Sequence, residues 1–281
     1  MTERLSDITE RLEGYRSLGS VVTAMNAIAG ARARKARDEI RAVDSYAATI
    51  NEAMTRMVST LPTPVSPAPE TGRSVLLVFG AEQGFAGAFT ARVLDTLSDA
   101  DASSDLFLVG TRAEAIAEFR KLSPVWCTPM PSHSAAIPKF ADRLLKPIYE
   151  KLATGDIGKL EAVYSIWQSN TVRVDRISLF PFHVPDAAPD DGPAPLLYMP
   201  VEQLLAELGA DYMHAMVCRI ALHAFAAENE ARMLAMSMAQ RQIEKDISEL
   251  EARERQVRQE AITAELIELS AGVQASLSPQ K

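Results

Sequence analysis

Three glycines, Gly80, Gly84 and Gly87, follow an apolar run in "VFGAEQGFAGAF" and precede a helix-forming stretch. A phosphate-cradling turn occupies this place in nucleotide-binding folds, where backbone N–H groups and a helix N-terminus meet an anion. The spacing is GxxxGxxG rather than GxGxxG. No Lys-Ser/Thr pair follows, and the next strand ends in Gly110-Thr111 without an acid for a ribose hydroxyl. The turn therefore reads as structural, with Gly84 as the expected positive-φ position. The four histidines, His133, His183, His214 and His223, lack metal-ligand spacing. Cys127 and Cys218 stand far apart without a CxxC, as two buried thiols of a reducing compartment would. There is no GxSxG and no carboxylate pair set apart from the other acids. Arg32, Arg34, Lys35, Arg37 and Arg41 form a basic cluster diluted by Asp38 and Glu39. It reads as a solvated or partner-facing helix surface, and the net charge of −8 argues against a nucleic-acid binder. Neither a cofactor nor a metal is expected.

The elements that carry these residues are dominated by two helices. From Met213, small or apolar residues fall at Val217, Ile220, Ala224, Ala227, Ala231, Leu234 and Met238, alternating steps of four and three. This is a coiled-coil seam. It continues in a second phase through Ile243, Ile247, Leu250, Val257, Ala261 and Ala264, so the seam is expected to drift near Ala239. No proline interrupts residues 211–278. A helix this long exceeds what a compact domain of this mass can cover, so something outside the domain must pack on it. Residues 2–61 repeat the pattern through Leu5, Ile8, Leu12 and Tyr15, then Leu18, Val22, Met25 and Ala29, and again from Val43 to Leu61 after a charged centre. Two seams flanking one domain predict an antiparallel pair.

Between them, "LPTPVSPAPETG" ends the first helix and makes a stiff linker. Residues 74–181 alternate strands with helices, and a hairpin is expected at Ser169-Asn170. The Pro- and Asp-rich stretch that follows leads through a short helix at 201–208 into the long one. The fold class is thus α/β plus a long antiparallel coiled coil, with a Rossmann-like domain inserted between the paired terminal helices. The expected division is 1–61 first helix, 62–73 linker, 74–182 α/β domain, 183–200 loop and 201–281 terminal helix. Aromatics make up only 6% of the chain, in keeping with helix-on-helix packing. The N-terminus carries acids and lacks the apolar core of a signal peptide, and no apolar run reaches membrane-spanning length, so a soluble, cytoplasmic chain is expected.

Two stretches resemble the gamma subunit of F-type ATP synthases. "SVVTAMNAIAGARARKA", residues 20–36, is similar to the family's "ITKAMKMVAAAKLRRA". In the C-terminal helix, Glu230-Ala231-Arg232-Met233 stands where the family has "HAARM", and "ITAELIEL", from Ile262, stands where it has "ITQELIEI". The order helix, α/β domain, helix covers the whole chain. Three departures mark a divergent bacterial branch: Asn26 replaces a basic residue, Val273 replaces an alanine, and "GAEQGFAGAF" replaces "SDRGLCGGFN".

The resemblance implies a non-catalytic rotor whose helices form a shaft inside an alpha-beta hexamer. Its α/β domain would be a foot bound to epsilon and to the membrane c-ring. Met25, Asn26, Arg32, Ile262, Thr263, Glu265, Leu266, Ile267, Glu268 and Leu269 would face the hexamer sleeve. The complex would lie on the cytoplasmic face of the bacterial inner membrane, with this chain peripheral and without nucleic acid. A coiled-coil adaptor would share the helices but would not need "ITAELIEL". A nucleotide-binding α/β enzyme would use the Gly80–Gly87 turn.

Overall fold

The computed structural model describes residues 5–59, 72–181 and 196–277. His183 and most of the linker and loop expected at 62–73 and 183–200 lie outside them. In chain order the elements are α1 (Leu5–Ser59), β1 (Arg73–Phe79), α2 (Phe89–Leu94), β2 (Asp105–Val109), α3 (Thr111–Phe119), β3 (Trp126–Thr128), α4 (Ile137–Ala153), β4 (Ile157–Gln168), β5 (Thr171–Phe180) and α5 (Val201–Leu277). Two compact units divide them, one of residues 29–233 and one of residues 1–28 with 234–281.

In the larger unit five strands form one sheet in the order β3-β2-β1-β4-β5. All neighbours are parallel except β4 and β5, which run antiparallel. Buried on both faces, β1 is a continuous apolar run instead of an alternating one. Val75, Leu77 and Phe79 face one core with α4 and the 213–226 stretch of α5. Leu76 and Val78 face a second core with α2 and α3. The hairpin between β4 and β5 turns at Ser169 and Asn170, both at positive φ (52° and 59°). That backbone matches the strand twist, which is why a two-residue Ser-Asn connection suffices.

Several expectations need correcting. α5 runs unbroken from Val201, so no separate helix occupies 201–208. Gly209 weakens that segment by about 1 kcal/mol, but it is buried, and packing holds the helix through it. α2 ends at Leu94, and a 3-10 turn follows at Asp99–Ser103. Arg176 of β5 pairs with Asp101 in that turn at 2.8 Å and with Glu161 of β4 at 2.7 Å. Its hydrogen bond holds the Asp101 carboxyl down at about 2. Cys127 is half-buried, whereas Cys218 is buried, and both are free thiols.

The seams also differ in phase from the sequence reading. Within the larger unit the α1 seam does not stop at the charged centre. Ala29, Ala33, Ala36, Ile40, Ala47, Ile50, Met54 and Met57 are all buried, with half-buried Val43 completing alternating steps of four and three. Alanine carries too little apolar area to reveal this among arginines. Arg32 and Lys35 flank the seam and do not interrupt it.

In the smaller unit α1 and α5 pack antiparallel. Ile8 and Leu12 cluster with Val257, and Val22 clusters with Met236 and Ile243. Arg16 bridges to Glu251 at 2.9 Å, and Asn26 Nδ2 donates to Ser237 Oγ at 3.2 Å. Leu18, Leu234 and Met238, assigned to the seam from spacing, are exposed. On either side of Ala239 the buried residues of α5 are Met236 and Ile243, so the change of phase precedes Ala239.

Gly19 lies so close to α5 that a Cβ there would stand 3.5 Å from Ile243 Cγ2, while a Cβ on Gly14 would meet nothing within 4 Å. A chain carrying Gly19→Cys and Ile243→Cys, with Cys127 and Cys218 replaced by serine, should form an intramolecular disulfide under mild oxidation, since that reach suits the bond. The Gly14→Cys, Ile243→Cys chain should stay reduced. Equal oxidation of the two, read by gel mobility without reductant, would contradict this helix register.

Candidate functional site

In an open parallel sheet a ligand crevice forms beyond the carboxyl ends of the strands, where the strand order reverses. Here that point lies between β1 and β4, and the glycine-rich turn leaves β1 beside it. The chain's own carboxylates occupy the donors of this turn. The N–H groups of Glu82 and Gln83 donate to the Glu228 carboxylate of α5 at 3.0 and 3.1 Å. Glu82 in turn accepts from the Thr111 N–H, the Thr111 hydroxyl and the Met130 N–H at 2.9, 2.9 and 2.8 Å. Thr111 N–H, at the start of α3, has no acceptor within its own helix, so Glu82 binds where a phosphate would otherwise sit.

Glu228 is only 3% exposed, and a lone carboxylate at that depth would be costly. Arg232, one turn further along α5 and also buried, pairs with it. The same guanidinium donates to the carbonyls of Gly84 and Gln83 and to Asn229 Oδ1. Asn229 donates back to the Phe225 carbonyl at 2.8 Å. Glu230, also buried, pairs with Arg37 of α1. The group therefore binds the β1 turn and α1 to one segment of α5 and leaves none of its carboxylates without a donor.

Backbone geometry agrees with a tightly closed turn. A Cβ on Gly80 would fall 2.3 Å from Ala113 Cβ. The positive φ angles belong to Phe85 (62°) and Gly87 (59°), which corrects the expectation placed on Gly84. Phe85 is an exposed aromatic in a conformation L residues rarely adopt.

The other candidate residues are scattered. Arg32 reaches Gln83 Oε1 at 3.4 Å, and Met25 and Asn26 are half-buried in the smaller unit. Arg34, Arg37 and Arg41 line a cleft of about 530 Å³ with Trp167, His223 and Glu230. Burial keeps the His223 imidazole below its usual range. Ile262, Thr263, Glu265, Leu266, Ile267, Glu268 and Leu269 are all exposed along one stretch of α5, Ile267 at 64%. The Thr263 hydroxyl turns back on its own helix and donates to the Gln259 carbonyl.

His214 and Cys218 approach each other at 3.9 Å, and His214 pairs with Asp142 at 3.1 Å. Burial raises the Cys218 thiol to about 12, so this is not an activated nucleophile. Among the described residues no group of three His, Cys, Asp or Glu could hold a metal ion.

The roles of Glu82 and Glu228 were missed from sequence. The available signal was a Glu–Arg pair four apart, directly after the apolar stretch "ALHAFAA". Charges next to a helix segment that is apolar all round are candidates for burial.

A family model described as ATP synthase matches residues 4–276. The ATP synthase gamma chain of Renibacterium salmoninarum is 29% identical, with 97% of this chain and 98% of that one covered. The gamma chain of Kineococcus radiotolerans is 28% identical, with 99% and 98% covered. Among solved structures, a chain of the Euglena gracilis mitochondrial ATP synthase, in an OSCP/F1/c-ring structure in rotational state 3, superposes with a TM-score of 0.69 at 18% identity, covering 99% of this chain and 97% of that one. A chain of the rotor of the same enzyme in rotational state 1 gives 0.62 at 17% identity, covering 92% and 98%. At these identities the structural likeness shows a shared fold.

Removing one member of a buried ion pair leaves the other charge stranded. Arg232→Met and Glu228→Ala should each destabilise the larger unit by about 3–5 kcal/mol, measured by urea unfolding. Glu230→Ala should cost about 1 kcal/mol, because Arg37 is half exposed and can rehydrate. Gly80→Ala should cost about 1–3 kcal/mol by overpacking against α3. Gly84→Ala, with nothing within 4 Å and no positive φ, should stay within about 0.5 kcal/mol of wild type. Equal losses at Gly80 and Gly84 would contradict this description of the turn.

Proposed function

The chain belongs to the ATP synthase gamma-chain family, and from that premise we propose that it is the central-stalk rotor of an F-type ATP synthase. It couples ion flow through a membrane c-ring to ATP synthesis or hydrolysis in an alpha-beta hexamer, and it contacts epsilon at the foot. The observation that carries the reading is the end of α5, where every residue from 258 to 270 is exposed although the helix continues to Leu277. A lone helix end in water is marginal without tertiary packing. Four large apolar side chains there, Ile262, Leu266, Ile267 and Leu269, have no cover within the described residues. A sleeve around the helix supplies that cover.

In this reading the shaft is residues 1–61 and 201–281, joined to the foot at 74–182 by the linker 62–73 and the loop 183–200. Met25, Asn26, Arg32, Ile262, Thr263, Glu265, Leu266, Ile267, Glu268 and Leu269 face the hexamer. In this role the chain needs no catalytic site of its own, and the commitment of the Glu82 and Gln83 N–H groups to Glu228 supports that reading. It transmits torque and imposes asymmetry on three equivalent sites located on other subunits. It lies peripherally on the cytoplasmic face of a bacterial inner membrane, held there through the complex. No described helix is long and apolar enough to cross a membrane. An independent adaptor would not require a family match that spans residues 4–276.

A chain ending at Glu260 loses the four apolar contacts, each worth about 1.5–3 kcal/mol when buried. ATP-driven ion pumping into vesicles by the truncated complex should fall more than its ATP hydrolysis, and the wild-type chain alone should show no turnover. ATP hydrolysis by the purified chain, or truncation that leaves pumping and assembly at wild-type levels, would overturn the rotor reading. Co-purification of the tagged chain should bring down alpha, beta and epsilon subunits.

A further inference from the structure

A second cleft, of about 370 Å³, opens between α1, the start of α4 and α5, all within the larger unit. Its walls are nearly all apolar: Val43 of α1, Ile137 and Pro138 of α4, and Ala215 and Leu222 of α5. Tyr46, half exposed, stands at the mouth. The volume lies at the lower end of small-ligand sites, about 300–1,000 Å³, and is too small for a helix.

The polar edge has one sign. Glu39 is the only formally charged residue of the lining, and no lysine or arginine lines it. The other titratable groups of the lining are Tyr46, Cys218 and His214, and His214 is tied to the Asp142 carboxylate. Lys35 approaches Glu39 at only 3.9 Å and is itself 63% exposed, so it can swing into water when a cation arrives. An apolar pocket edged by a carboxylate suits a flat apolar body that carries a positive charge.

We propose that this cleft binds a small hydrophobic amine, with its ring between Val43, Ile137 and Leu222 and its ammonium at Glu39. None of its lining residues belongs to the closed turn after β1 or to the exposed end of α5, so binding to the free chain is read without the rotor reading, and only the comparison with the assembled complex rests on it. A ligand seated there touches α1, α4 and α5 at once and stabilises their packing by mass action.

The test is titration of the full-length chain with 1-naphthylmethylamine, followed by the fluorescence of the naphthyl ring and by thermal shift, with 1-methylnaphthalene and 1-naphthoate as neutral and anionic isosteres. A probe of about twelve non-hydrogen atoms should bind saturably with a Kd on the order of 0.1–1 mM. The neutral isostere should bind about threefold to fivefold more weakly, and the anion more weakly again. Glu39→Gln should erase the difference between amine and neutral probe, and Glu39→Lys should reverse the charge preference. Ala42→Phe, at an exposed position of the lining, should close the mouth and abolish saturable binding with little change in melting temperature. If that variant fails to fold, the two Glu39 variants carry the test. The proposal is overturned by equal binding of all three probes in wild type, by a preference for naphthoate, or by charge selectivity that survives Glu39→Gln. It is also overturned if the assembled complex, unlike the free chain, does not bind the amine, because the cleft is then a socket for a partner side chain.

Discussion

Much of the larger unit depends on the burial of one carboxylate. Glu228 sits among apolar residues of α5, where an ionised oxygen is tolerated only if hydrogen-bonded and paired. It finds the N–H groups of Glu82 and Gln83 and the guanidinium of Arg232. That requirement shapes its neighbours. The turn after β1 must present two adjacent N–H groups to α5, which directs the Glu82 side chain toward the starts of α3 and the β3–α4 connection. Gly80 and Gly110 follow from the same closeness, since a Cβ on Gly110 would lie 2.6 Å from the Ala81 carbonyl oxygen. Each charge in the crevice is thus answered from within the chain.

The result is a doubly wound sheet whose usual ligand crevice has become an internal joint. Two carboxylates stand where anions bind in enzymes of this architecture. A binding site needs donors left free for the ligand, and these donors are committed to α5 and α3. A load on α5 reaches the turn after β1 through the charge-assisted hydrogen bonds that Glu228 accepts from Glu82 and Gln83 N–H and that Arg232 donates to the Gly84 and Gln83 carbonyls, as well as through apolar packing.

What was legible in the sequence had strong local causes. The β1 run "VLLVF", the Ser169-Asn170 hairpin and the existence of both long helices follow from apolar runs, turn chemistry and spacing. The phase of the seams was not legible. Leu234 and Met238 have the right spacing, yet Met236 is the residue buried, because side-chain periodicity cannot say where a partner helix changes face. The alanine seam from Ala29 to Ala36 was hidden by its arginine neighbours, whose stems and charges can lie beside a seam without breaking it. Glu228 and Arg232 stand in "ENEAR", which in isolation reads as a solvated helix face. Only the tertiary fold, by bringing two backbone N–H groups to that spot, makes burial of the carboxylate possible. The partner-facing role expected of residues 262–269 came from resemblance, since an exposed helix face carries no local signal of what covers it.

The polar groups of α5 fall into two kinds. Those at 228–232 reach other elements and hold them at fixed geometry. Those further along mostly look to their own helix: Gln240 to Glu244, Gln242 to Asp246, Lys245 to Glu249, Arg258 to Glu254 and Gln256 to Glu260, each four residues apart. A side chain already paired one turn away gains little from an outside partner and loses little when that partner leaves. Apolar side chains such as Leu266 and Ile267 attract any dry surface without a preferred angle. A helix end built in this way can be enclosed firmly while no single hydrogen bond has to break as the surface around it changes. The 228–232 segment is satisfied by directional charge pairs, and the exposed end of α5 is left with contacts that have no direction.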